Sequence, residues 1–242
     1  MTVHKNKCVY PALLLLSGLA TASHGMGLRS FVALPVETGG AVVRLTYQRQ
    51  IATDTEQFVS SLGYGISSHQ TLLLGLPYRL SPTGNNRQGD LSLLYRHIVW
   101  RADRRSGTDR LGLLAGALLP TETNRDSALQ SGLVFTHFHN RHEIDIDLLY
   151  QSGQHNRANS GRYDLSWQYR LLPDQRPDWG IAREIWGVVE FNGRWQQGKT
   201  VTQQITAGLQ WIHPKLVIEG GIVRDINRDH SWRYLLSTRF HF

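Results

Sequence analysis

Carboxylates and arginines at alternate positions dominate the residues of this sequence that could do chemistry. Glu143, Asp145 and Asp147 fall in one segment, Asp164 and Arg170 in a second, Glu190 and Arg194 in a third and Arg233 and Arg239 in the last, with Arg96 ahead of them all. On an extended chain, alternate residues share one face. Carboxylates placed so can act as an acid and base pair, gather cations or pair with arginines. His137, His139 and His142, close to Glu143, are of types that ligate zinc or copper, but they fall at a predicted turn where imidazoles are merely solvated. No metal and no cofactor is expected. Ser166 beside Asp164 offers a hydroxyl and a carboxylate, yet no histidine is placed to complete a triad, and no catalytic residue is assigned.

The elements that carry these residues alternate with period 2. In Glu143 to Gln151, Ile144, Ile146, Leu148 and Tyr150 oppose Glu143, Asp145 and Asp147, and in Arg162 to Leu171, Tyr163, Leu165, Trp167, Tyr169 and Leu171 oppose Asp164, Ser166, Gln168 and Arg170. Ten further candidates have the same character: Ala41 to Gln48, Gln57 to Ile66, Thr71 to Tyr78, Asp90 to Trp100, Arg110 to Leu119, Gly132 to Phe138, Ile185 to Trp195, Gln204 to Trp211, Leu216 to Val223 and Trp232 to Phe242. Tight connections alternate with long polar ones, although Arg101 to Asp109 and Pro173 to Glu184 are longer than this rule wants.

The chain has 242 residues, is 40% hydrophobic and 19% charged, and contains a single cysteine, which excludes collagen, low-complexity disorder and a disulfide scaffold. No apolar run is long enough for a membrane-spanning helix. Lys5 and Lys7, the apolar stretch Ala12 to Leu16 and the small residues Ala20-Thr21-Ala22 form a secretory signal peptide over 1–22. Its removal takes Cys8 with it and lowers the formal charge from +7 to +5. No cluster of basic residues stands apart from acids, so nucleic acid is not an expected partner. Residues 23–40 are expected to form a periplasmic N-terminal segment and 41–242 the barrel.

Alternation alone does not say whether the apolar face points to a core or to lipid. The last segment decides it. Trp232, Tyr234, Phe240 and Phe242 share one face and end the chain on an aromatic, resembling the assembly signal that outer-membrane barrels present to the barrel-assembly machinery. The expected fold is all-β, a transmembrane antiparallel up-and-down β-barrel of twelve strands in a bacterial outer membrane, in contact with lipid and lipopolysaccharide. Arg96, Glu143, Asp145, Asp147, Asp164, Arg170, Glu190, Arg194, Arg233 and Arg239 then line its lumen, together with Arg44, Glu219 and His241. Twelve strands lie between small filled barrels and wide porins, so a narrow or partly blocked pore is expected. No segment reads as a plug, and small solutes are expected to cross by diffusion. A closed structural barrel and an outer-membrane hydrolase are the rival readings.

Phe31-Val32-Ala33-Leu34-Pro35, Gly75-Leu76-Pro77-Tyr78-Arg79, Gly89-Asp90-Leu91-Ser92-Leu93-Leu94-Tyr95-Arg96 and Leu118-Leu119-Pro120-Thr121 resemble the meta-pathway phenol-degradation family of outer-membrane proteins. In that family a Gly-Asp-Leu motif opens a strand with an aromatic and a basic residue, and a later strand runs into Leu-Pro-Thr-Gly; here Glu122 replaces the glycine. The resemblance implies a channel for small hydrophobic or aromatic molecules and carries no active-site residue.

Overall fold

A computed structural model describes residues 27–175, 183–227 and 230–242. The signal peptide assigned to 1–22 lies outside the described residues. Twelve strands follow one another: β1 (Ala41–Gln50), β2 (Thr55–Ser67), β3 (Gln70–Ser81), β4 (Leu91–Arg104), β5 (Gly107–Leu119), β6 (Ala128–His139), β7 (His142–Gly153), β8 (Ser160–Leu172), β9 (Glu184–Gln196), β10 (Thr202–His213), β11 (Leu216–Asp225) and β12 (Trp232–His241). Each pairs antiparallel with its neighbours in sequence, and β1 closes on β12. Closure leaves no free sheet edge, which hydrocarbon would not tolerate.

All twelve alternating segments are strands, and most run further than the alternation does. Between β4 and β5 the sequence reading expects a long connection, whereas Arg101, Ala102, Asp103 and Arg104 pair with Arg110, Asp109, Thr108 and Gly107 in a hairpin with a tight turn. Its residues are nearly all polar, so no period of hydrophobicity marks it. Arg104–Asp109 (2.7 Å) and Thr108–Asp103 (2.6 Å) contacts hold it instead. Of the connection between β8 and β9, residues 173–175 and 183 are described and lie outside the strands. Tight turns at 68–69, 105–106, 140–141 and 214–215 mark the periplasmic end, and the longer connections 82–90, 120–127 and 154–159 the external one. Asn140 adopts the left-handed conformation (φ 55°) that a tight hairpin requires.

The register sorts the two faces. Thr136, Asp145, Ser166, Glu190 and Thr206 lie directly opposite one another across β6 to β10, and none is more than 1% exposed. Their outward neighbours are bare: Leu165 is 45% exposed, Trp167 48% and Leu209 56%. A soluble barrel would bury the apolar set and wet the polar one. Here the order is reversed, and the chain is a transmembrane β-barrel of the outer-membrane type.

Residues 27–36 correct the reading of the N-terminal segment. They do not hang below the barrel but lie inside it, with Leu28, Val32 and Ala33 at most 2% exposed. The chain then leaves at the periplasmic end through Thr38, bridged to Gly65 of β2, before entering β1.

Candidate functional site

The site is the lumen together with the segment that fills it. Residues 27–36 pair with no strand, so their buried peptide groups must find partners among side chains. Carboxylates and a hydroxyl take the N–H groups. Arg29 donates to Glu190 Oε1 (3.1 Å), Phe31 to Asp147 Oδ2 (2.8 Å) and Ala33 to Thr136 Oγ1 (2.8 Å), whose hydroxyl in turn donates to Asp145 Oδ1 (2.6 Å). Arginines take the carbonyls. Arg44 donates to the Leu28 oxygen, and Arg96 to those of Val32 and, at 2.7 Å, Leu34. The side chains also have seats. Leu28 packs on Val188 and Leu235, Ala33 on Leu94, Ile98, Leu114, Val134 and Leu149, and the Arg162 guanidinium lies 4.1 Å over the Phe31 ring.

The wall charges hold one another as well. Glu219, fully buried, binds Arg44 at 2.7 Å and also Arg239, two arginines that face each other across β1 and β12. Asp164 binds Arg194 (2.7 Å) and accepts from Asn192 (2.6 Å), and Gln168 donates to Asp145 (2.7 Å). Such charge-assisted contacts are what a low-dielectric interior needs to hold ions.

Of the residues expected in the lumen, Arg96, Glu143, Asp145, Asp147, Asp164, Arg170, Glu190 and Arg239 are buried there. Arg194 and Arg233 lie higher and partly exposed, Arg233 reaching Gln50 at the external end of β1. Trp232, Tyr234, Phe240 and Phe242 form the outward face of β12 and are all exposed. The sequence reading missed Arg162, although its position continues the series of Asp164 and Gln168. It also missed the neutral Thr136, and the segment 27–36, which has no periodicity to reveal it.

The other candidates separate. His137 and His139 stack side by side with His137 bound to Asp109, and His142 stacks on Trp167, while Glu143 is buried on the opposite face of its strand. Among the described residues no group of three or more His, Cys, Asp or Glu side chains is arranged to hold a metal. Ser166 is enclosed, and its Oγ makes no hydrogen bond to a histidine or to any other described residue.

Above the filled section an external vestibule of about 840 Å³ is lined by Arg125, Arg157, Arg194 and Lys199, with Asp90 and Asp126. Asp90 ties the loops together, bound by Arg125 (3.0 Å) and Arg157 (2.6 Å). Burial works against its carboxylate, but the hydrogen bonds from the two arginines outweigh it and hold the pKa below the usual aspartate value.

No family model matches the chain, and no curated protein matches it. Solved structures do. The KdgM porin is 6% identical, with a TM-score of 0.56 over 83% of this chain and 99% of that one. An outer membrane channel from Pseudomonas putida F1 is 14% identical, with a TM-score of 0.53 over 87% and 98%. The NanC porin is 11% identical, with a TM-score of 0.55 over 82% and 98%. At these identities the likeness establishes the fold, that of outer-membrane channel barrels.

Proposed function

We propose that the chain is an outer-membrane channel for small solutes whose pore is obstructed, in this state, by its own residues 27–36. One observation carries this reading: the middle of the lumen is filled by a separate segment rather than by side chains of the wall. A barrel built only as a wall can close its interior with its own side chains, as eight-stranded barrels do, whereas twelve strands enclose more room than side chains fill. Take the segment out, and a pore lined by Arg44, Arg96, Asp147 and Glu190 remains.

The mouth narrows the solute class. Four cations against two carboxylates line the vestibule, which favours an anion. The resemblance of the sequence points to small aromatic molecules, and an aromatic carboxylate satisfies both. The dense contacts around Glu219 and Asp164 support the closed structural barrel as the second reading.

Planar-bilayer recording separates the two. Leu28→Asp with Ala33→Asp places carboxylates in apolar seats and expels the segment without altering the wall. The channel reading expects rare or small conductance steps for the wild type and large, frequent ones for the variant. A variant that folds and stays silent supports the structural barrel.

A further inference from the structure

We propose that the lumen is a binding site for a polypeptide segment, held through its main chain, and that residues 27–36 are its resident occupant. The proposal deepens the channel reading by naming a class of cargo or regulator for the same pore.

The argument rests on how the wall sorts its polar groups. Acceptors for N–H come from β6, β7 and β9, as Thr136, Asp147 and Glu190. Donors for C=O come from β1 and β4, as Arg44 and Arg96. The segment bends at Leu28, Arg29, Ser30 and again at Ala33, so no neighbouring strand could satisfy it through a regular ladder. Here the N–H groups of Arg29, Phe31 and Ala33 and the carbonyls of Leu28, Val32 and Leu34 are met by side chains of the wall.

Selectivity among peptides comes from the seats. Leu28 rests on Gly208 and Gly221, where an added Cβ would come within 2.7 and 2.9 Å of its Cδ1, so this floor admits a branched apolar residue because it lacks side chains of its own. Arg162 over the Phe31 ring favours an aromatic. Ala33, fully buried in one cluster with Leu94, Ile98, Leu114, Val134 and Leu149, favours a small one. Arg194, which lines the vestibule and binds Asp164, joins the external mouth to this site.

The test uses the full chain carrying Leu28→Asp and Ala33→Asp, folded in detergent, and a fluorescein-labelled peptide of the sequence 27–36. A second form keeps the native segment but is cut after folding at a protease site introduced at the exposed Gly39, and then washed. The peptide is expected to bind both emptied forms, and the wild type about tenfold more weakly or less, its site being taken. The same peptide N-methylated at the positions of Phe31 and Ala33 loses two donors to buried acceptors and is expected to bind about tenfold more weakly or less. Equal binding of the native, N-methylated and scrambled peptides, or equal binding to wild type and emptied forms, overturns the proposal. Emptied barrels that conduct but bind no peptide overturn it and leave the channel standing. Barrels that bind the peptide and pass no current keep the site and sink the channel.

Discussion

Replacing Glu219 by glutamine tests whether the interior is as dry as its contacts imply. The carboxylate is fully buried and stands between Arg44, at 2.7 Å, and Arg239, which face each other across the β1–β12 seam. Glutamine keeps the shape and removes the charge, leaving two guanidiniums opposed with nothing between them. Breaking a buried pair costs about 3 to 5 kcal/mol. Arg239 is 1% exposed and suffers the loss in full, whereas the Arg44 side chain, 15% exposed, keeps some water, so the lower end, about 3 kcal/mol, is expected. The assay is guanidinium titration of the barrel in lipid vesicles, followed by tryptophan fluorescence. Adding Arg239→Gln to Glu219→Gln should recover part of the loss, because the second substitution removes one of the stranded charges. Arg44 also donates to the Leu28 carbonyl through the same Nη2 that binds Glu219, so the single variant should loosen the segment and raise conductance. A Glu219→Gln protein within about 0.5 kcal/mol of wild type would refute the reasoning, since only a hydrated lumen screens such a change so well.

Leu165→Arg, on the outward face of β8, should destabilise the barrel by about 2 to 4 kcal/mol if it lies near the bilayer midplane; an unchanged lipid-refolding titration would mean that this face does not meet hydrocarbon. Phe242→Asp should lower the amount of folded protein in the outer membrane while leaving export intact, and normal heat-modifiable migration from outer-membrane fractions would count against the assembly signal. Asp90 has its pKa depressed in the folded state, so its contribution to loop order is present above the unfolded aspartate value, about 3.9, and is lost as pH falls through the lower folded value. Limited proteolysis of the external connections should therefore accelerate below about pH 4, and Asp90→Asn should show the fast rate already at pH 7.

Strands were legible because a membrane barrel writes its two environments into alternate residues. Glu143 to Gln151 and Arg162 to Leu171 need no structure to be read, and their inward carboxylates follow from parity. The β4–β5 hairpin was hidden because both of its faces are polar where it leaves the bilayer. The segment 27–36 was hidden for another reason: its conformation is set by side chains far away in sequence, among them Glu190, Asp147 and Arg96, and nothing in Leu28 to Pro35 signals which wall it meets. Parity alone puts the acids and arginines on one strand face. What it does not disclose is that four of them, Arg44, Arg96, Asp147 and Glu190, meet the main chain of the same molecule.

The segment in the lumen is joined directly to β1, and β1 is the strand that meets β12. Ala41 and Phe242 exchange main-chain hydrogen bonds at 2.9 and 3.1 Å, so the last residue of the chain zips onto the first residue of the wall. The wall groups that grip the segment come from β1, β4, β6, β7 and β9, nearly the whole circumference, and converge on it only when the sheet has curled round. The grip on the segment and the seal of the sheet therefore depend on the same curvature of the wall. A change that loosens the β1–β12 seam would be felt at the segment too, through Arg44, which stands on β1 opposite Arg239 and holds the Leu28 carbonyl.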